Sequence, residues 1–218
     1  MVSGGVEHVR ATPVGGQDAQ TSTGEPSVFA ATTSQFLRFN NRLAGYVRLS
    51  DKGLALAASF RWGLNTQLIP NSQTYPDRLF FMGGVDSIRG FLQDSLVPED
   101  IAQKLLDPAS TLTLNEVVIR GGDAFINPRL ELRIPLSGSV QTAMFLDSGN
   151  LWRKPDLVNP SKLRYAVGSG LRIGTPIGPL VFDYGFNVDR VLDKLFPYRT
   201  RQRFWEDIGA FHFSIGLF

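Results

Sequence analysis

Leu163-Arg164-Tyr165-Ala166-Val167-Gly168-Ser169-Gly170-Leu171-Arg172-Ile173-Gly174 decides the fold. Its apolar members Leu163, Tyr165, Val167, Leu171 and Ile173 fall on alternate positions. Arg164, Ala166, Gly168, Gly170, Arg172 and Gly174 fill the places between. A side-chain period of two belongs to a β-strand with two unlike faces, whereas a helix would repeat at about 3.6. The next residues, Thr175-Pro176-Ile177-Gly178-Pro179, are turn formers. After them Leu180, Phe182, Tyr184 and Phe186 oppose Val181, Asp183, Gly185 and Asn187, so the two runs read as an antiparallel hairpin.

The same period extends outward in both directions. Val140, Thr142, Met144 and Leu146 oppose Gln141, Ala143, Phe145 and Asp147. Across the turn Pro135-Leu136-Ser137-Gly138, Ile126, Leu130, Leu132 and Ile134 oppose Asn127, Arg129, Glu131 and Arg133. Further back, Leu54, Leu56, Ala58, Phe60 and Trp62 alternate with Ala55, Ala57, Ser59 and Arg61. Ser50-Asp51-Lys52-Gly53 joins them to Leu37, Phe39, Leu43, Val47 and Leu49, which alternate with Arg38, Asn40, Arg42 and Arg48. At the other end Phe211, Phe213, Ile215 and Leu217 oppose His212, Ser214 and Gly216. Roughly seven strands emerge over residues 35–218. Residues 1–34 read as loop with at most a partial strand over 5–11. Residues 66–122 form one long connection, with prolines at 70, 76, 98 and 108 and a helical turn expected over 101–106. Long ordered loops are usually functional.

Composition narrows the class. The net charge is +2 over 218 residues, which offers no basic face for nucleic acid. With no cysteine and two histidines, His8 and His212, the chain is expected to hold no disulfide, metal site or cofactor. Met1-Val2-Ser3-Gly4-Gly5 lacks the features of a signal peptide. No run reaches the roughly eighteen apolar residues of a membrane-spanning helix. The period alone fits a soluble β-barrel or sandwich acting as a binding module, and it fits a transmembrane β-barrel. Three features favour the membrane barrel. Short turns alternate with long loops, as at the two rims of an outer-membrane barrel. The strands exceed the five or six residues common in globular sheets. Glycines at 168, 170, 174 and 185 lie on the polar face, which calls for close backbone approach or for something packed inside.

Four segments carry a family resemblance. They are Arg78-Leu79-Phe80-Phe81-Met82-Gly83-Gly84-Val85-Asp86-Ser87-Ile88-Arg89-Gly90-Phe91; Gly121-Gly122-Asp123-Ala124-Phe125 leading into Leu130-Glu131-Leu132-Arg133; Phe145-Leu146-Asp147-Ser148-Gly149-Asn150-Leu151-Trp152; and Gly178-Pro179-Leu180-Val181-Phe182-Asp183-Tyr184-Gly185 with the terminal strand. In this order they resemble the C-terminal half of the outer-membrane protein-assembly barrels of the BamA/TamA type, the bacterial surface-antigen family. The resemblance covers about residues 36–218. It implies an all-β, antiparallel transmembrane barrel of sixteen strands, of which this chain holds the last seven or so. It makes 66–122 the large extracellular loop, folded back into the lumen. The loop-tip motif is then Ile88, Arg89, Gly90 and Phe91, with Arg89 meeting Glu131 and Asp147.

The residues agree with that implication. Glu131 and Asp147 share the inward face by period, and a guanidinium fork matches carboxylates in bidentate fashion. Gly90 is expected to allow a tight turn and Phe91 to anchor the tip. Without the resemblance, Arg89 would read as a solvated loop residue. Asp183 is expected to be a luminal hydrogen-bond partner, and Arg129, Arg133, Arg164 and Arg172 to line a solvated lumen. Trp62 and Trp152, near strand ends, are expected in interfacial girdles. Tyr198, Arg199, Arg201, Arg203, Phe204 and Trp205 read as a solvated loop cluster.

No catalytic constellation is present in the sequence. Ser87 and Ser148 have no partnered histidine, Asp86, Asp123 and Asp147 lack ligand spacing, and Gly83-Gly84 precedes no phosphate-binding helix. The resemblance implies a non-enzymatic insertion factor in the bacterial outer membrane. Its partners would be outer-membrane lipid and nascent outer-membrane proteins, with upstream periplasmic domains and accessory lipoproteins. The terminal strand, with Phe211, Phe213, Ile215, Leu217 and Phe218, would be the lateral seam whose free edge templates an incoming strand. Phe218 falls out of phase with the other four. A two-partner secretion translocator of the same superfamily is the alternative role.

Overall fold

A computed structural model of the chain describes residues 2–11, 34–70, 72–107, 120–196 and 205–215. Its strands form one antiparallel sheet of eight, in chain order throughout. They are β1 (Val2–Ala11), β2 (Ser34–Arg48), β3 (Ala55–Gln67), β4 (Ala124–Ser137), β5 (Val140–Trp152), β6 (Arg164–Ile173), β7 (Leu180–Asn187) and β8 (Gly209–Ile215). The strand beyond the expected seven is β1, which extends the partial strand expected over 5–11 back to Val2. Gly4 and Gly5 interrupt the pattern in the middle of β1, which nevertheless pairs with β2 from Val2↔Leu43 to Ala11↔Ser34.

The hairpins follow from local chemistry. Gly53 takes φ +89° in the turn between β2 and β3, a conformation that costs a side-chain-bearing residue dearly. Its N–H donates to the Ser50 carbonyl at 3.0 Å. Within β4, Pro128 has no N–H for the ladder. The neighbouring Asn127 repairs this, because its side-chain amide donates to the Ser148 carbonyl on β5 at 2.7 Å.

The two faces of the sheet are inverted relative to a water-soluble protein. The inward face buries polar groups, among them Asn65, Asn127, Asp147, Arg164 and Asp183. The outward face exposes Val47, Leu130, Met144, Val167, Phe211 and Phe213. An apolar outer band and a polar inner wall are what a β-barrel presents to lipid and lumen. No helix among the described residues is long and apolar enough to cross a membrane. Trp62 lies on the outward face, stacked on Phe60 with ring centroids 5.2 Å apart. Trp152 corrects the girdle expectation: it is 1% exposed, at the end of β5 beneath the long loop.

That loop links β3 to β4 and fills the concave side of the sheet. The helix α1 (Glu99–Leu106) occupies the stretch where a helical turn is expected. A short bridge joins Phe80 to Gly122. Residues 82–96 form a closed sub-loop, because the Leu96 N–H donates to the Met82 carbonyl at 3.0 Å. Beneath it sits an apolar cluster that includes Phe80, Met82, Ile88, Phe91, Phe125 and Leu151. A second helix, α2 (Val188–Leu195), continues directly from β7, with Asn187 accepting from Asp189 N–H at its start.

Candidate functional site: the loop tip and its luminal seat

The tip is shaped by its own backbone. Gly83 and Gly84 take φ of +114° and +91°, which lets the chain reverse twice within a few residues. The Gly83 N–H donates to Ser87 Oγ at 2.8 Å and the Gly84 N–H to the Phe91 carbonyl at 3.0 Å. Ile88 and Phe91 point down into the apolar cluster and are almost wholly buried. Arg89, between them, points across to the wall.

The wall satisfies the tip's backbone carbonyl by carbonyl. Arg129 Nη2 donates to Val85 O at 3.1 Å, Arg61 Nη1 to Asp86 O at 2.6 Å and Asn127 Nδ2 to Ser87 O at 3.3 Å. The Phe91 N–H serves Ile88 O within the tip, and His212 Nε2 meets Arg89 O at 3.0 Å. Five consecutive carbonyls therefore have partners, as buried backbone groups require. The donors outside the tip come from β3, β4 and β8.

Arg89 itself is 2% exposed and meets three carboxylates. Its Nε and Nη2 grip Asp147 at 2.7 and 2.8 Å in a bidentate fork, and its backbone N–H adds a third bond to Asp147 at 3.1 Å. Its Nη1 reaches Glu131 at 2.7 Å and Asp183 at 2.9 Å. Burial alone would lower the Arg89 guanidinium below its ordinary pKa. The hydrogen bond and charge of Asp147, followed by Glu131, raise it instead, so the group is a permanent cation. The Phe145 ring lies 3.5 Å beneath it.

Other arginines complete the seat. Arg172 Nη2 donates to Glu131 at 2.9 Å and its Nη1 to Asp183 at 3.2 Å, which closes a ring of alternating charge with Arg89. Arg129 reaches Asp147 at 3.2 Å and Arg133 reaches Glu131 at 2.8 Å. The expectation that these arginines line a solvated lumen is corrected for Arg164; Arg172 does line the luminal cavity, with its guanidinium enclosed by Glu131 and Asp183. Both are almost wholly buried against the acids they pair with. Arg164 stands in a second cluster near the top of the wall, paired with Glu99 at 3.6 Å and with Glu206. Glu99 opens α1, so this cluster ties the loop helix to β6 and to the segment before β8.

The inward glycines explain how the tip fits. A Cβ on Gly185 would collide with the carbonyl group of Arg89 and lie 2.7 Å from Gly90 N. On Gly168 it would strike the Phe145 ring, and on Gly170 the Asp183 carboxylate. Gly90 sits in the expected tight turn, closed by the Phe91 N–H on the Ile88 carbonyl at 3.2 Å, but its φ is not positive and does not itself demand glycine. Glycine is required because a Cβ would lie 2.6 Å from Ala166 Cβ and 3.0 Å from the Phe186 backbone. Close approach, not a left-handed backbone, selects glycine there.

Of the sequence-predicted residues, Ile88, Arg89, Gly90 and Phe91 thus form the tip, and Glu131 and Asp147 meet Arg89. Phe211, Phe213 and Ile215 lie on the outward face of β8; Leu217 and Phe218 lie outside the described residues, as do residues 198, 199, 201, 203 and 204 of the basic-aromatic cluster. Sequence reasoning placed Arg164 and Arg172 on the inward face without naming their partners, and it gave His212, Glu99 and Glu206 no role. The one signal for each was a polar residue in an inward or loop position.

Comparison with known proteins follows the same lines. The model of the Omp85 superfamily domain matches residues 12–218. The chain is 25% identical over 186 residues to the chloroplastic outer envelope protein 80 of Arabidopsis thaliana, a match spanning 81% of this chain and 19% of that protein. Its fold is similar to the crystal structure of BamA from Haemophilus ducreyi lacking POTRA domains 1–3. The TM-score is 0.60 at 22% identity, covering 82% of this chain and 34% of the other. The chain therefore spans about a fifth and a third of the lengths of these relatives.

Proposed function

This chain belongs to the Omp85 superfamily, and from that premise we propose that it forms the seam-side wall of an outer-membrane barrel that inserts other β-barrel proteins into lipid. The role is non-enzymatic. The barrel lowers the barrier to insertion by offering a strand edge in the membrane plane, and β8 with its terminal residues is that edge. Further strands complete the barrel. The long loop is extracellular or its organellar equivalent, and the partners are outer-membrane lipid and nascent barrel proteins. The names of the relatives support bacterial outer membrane and plastid envelope alike; the bacterial outer membrane is the location proposed, on the strength of the motif resemblance.

The observation that supports this reading best is the seat of Arg89. A wall that served only as a passive pore would not need a plug residue gripped by acids on three strands, β4, β5 and β7. Such a grip orders the wall up to the strand beside the seam and leaves the outer edge of β8 without a partner among the described residues. An insertion barrel needs that combination of a stiff wall and an available edge.

The test is reconstitution of the full-length protein in lipid vesicles. An unfolded barrel substrate added outside should acquire protease resistance faster than with empty vesicles. Export of an unfolded soluble polypeptide into the vesicles, without barrel insertion, would identify a secretion translocator. A full-length protein that remained dispersed in buffer without detergent would sink the membrane reading altogether.

A further inference from the structure

We propose that His212 is a positioning residue that couples the seam strand to the loop tip, so that β8 can part from β7 only as far as His212 while Arg89 keeps its seat. The use of this coupling rests on the insertion reading above; its content rests on geometry alone.

Asp183 on β7 and His212 on β8 are directly opposed in the ladder. They hold the two ends of the same residue. Asp183 takes the Arg89 guanidinium at 2.9 Å, and His212 Nε2 takes the Arg89 carbonyl at 3.0 Å. A carbonyl only accepts, so Nε2 carries the proton and the ring donates. Separating β8 from β7 at this pair pulls the carbonyl and the guanidinium of one buried residue in different directions. Arg89 cannot follow both, because Asp147 also holds its N–H and its fork.

The two halves of β8 differ in what stands behind them. Toward Gly209 the tip backbone lies directly on Gly185, whose ladder partner on β8 is Ala210. Toward Ile215 the inward Ser214 faces a cavity of about 730 Å³ beside the tip, lined also by Arg89, Glu131, Arg172 and Asp183. The upper half of β8 is therefore stapled and the lower half is backed by open lumen. Opening begins at Phe213–Ile215, travels to His212 and stops there until the tip releases. By reciprocity, whatever loosens β8 at His212 loosens the tip, and the reverse.

The experiment is amide hydrogen exchange on the full-length protein in lipid nanodiscs, comparing wild type with His212→Ala and His212→Gln. In wild type, amides 210–212 should exchange at least tenfold more slowly than 213–215; equal rates would overturn the proposal without any variant. His212→Ala should speed exchange of the 87–91 amides about tenfold, and His212→Gln, which retains a donor, should restore most of the protection. Unchanged tip exchange in His212→Ala would also overturn it. If His212→Ala fails to fold, the wild-type gradient and His212→Gln still decide. Vesicle insertion measured on the same samples separates the two ideas. Intact coupling without insertion refutes the insertion reading and leaves the coupling standing. Full insertion with an uncoupled tip refutes the coupling.

Discussion

Gly185→Ala is a one-methyl perturbation aimed at the floor of the seat. The added Cβ would overlap the Arg89 carbonyl and lie 2.7 Å from Gly90 N. Ordinary non-bonded contact is about 3.5–4.0 Å, so the tip must lift by roughly 1 Å. The floor cannot give way instead, since Gly185 sits inside paired ladders on both sides. A lift of that size stretches the His212 contact beyond bonding range and loosens the fork on Asp147. Overpacking costs about 1–3 kcal/mol and a lost hydrogen bond about 1 kcal/mol, so the docked tip should lose about 2–4 kcal/mol. Each 1.4 kcal/mol is a factor of ten, so the undocked population should rise about 30- to 1,000-fold. Trypsin reads this directly, because Arg89 is its own cleavage site and is buried in the docked state. When opening is fast, cleavage follows the open population. Mass spectrometry should find fragments cut after Arg89 accumulating in Gly185→Ala and scarcely in wild type. Gly45→Ala is the control, since nothing lies within 4 Å of a Cβ there. If Gly185→Ala were cut after Arg89 no faster than wild type, the close-approach argument would be wrong.

Two further outcomes follow from the same geometry. Arg89→Lys keeps the charge but loses the planar fork that serves Asp147, Glu131 and Asp183 together; the heat-induced unfolding transition of the folded barrel on cold-loaded gels should drop by several degrees, and an unchanged transition would show that charge alone suffices. Single-tryptophan variants in brominated lipid should show strong quenching of Trp62, which faces outward, and little of Trp152, which is buried beneath the loop; comparable quenching of both would contradict the inverted faces.

Much of this architecture was legible in the period-two pattern. Alternation assigned Glu131, Asp147 and Asp183 to the same face, and the inward glycines at 168, 170 and 185 signalled that something packs against them. Two kinds of feature escaped. A strand with weak alternation is only partly visible to a periodic reading, and with Gly4-Gly5 in it β1 (Val2–Ala11) read as no more than a partial strand over 5–11. Partners far apart in the chain are hidden. Arg89 and His212 are separated by 123 residues, and nothing local to either announces the other. Trp152 shows a related limit. Its position near a strand end suggested an interface, but a loop arriving from β3 covers it, and only tertiary structure decides between those outcomes. Gly90 was read as a turn former and does lie in a turn; what selects glycine there is the crowding of Ala166 and Phe186.

The central claim is that the seat of Arg89 orders the wall on which insertion depends, and Arg89→Ala tests it most directly. Removing one partner from a buried, hydrogen-bonded ion cluster costs about 3–5 kcal/mol, because the acids left behind lose their compensation. The measurement is the insertion rate of an unfolded barrel substrate into vesicles carrying equal amounts of folded full-length protein. The account predicts at least a tenfold lower rate for Arg89→Ala than for wild type. An equal rate at equal folded protein would contradict it.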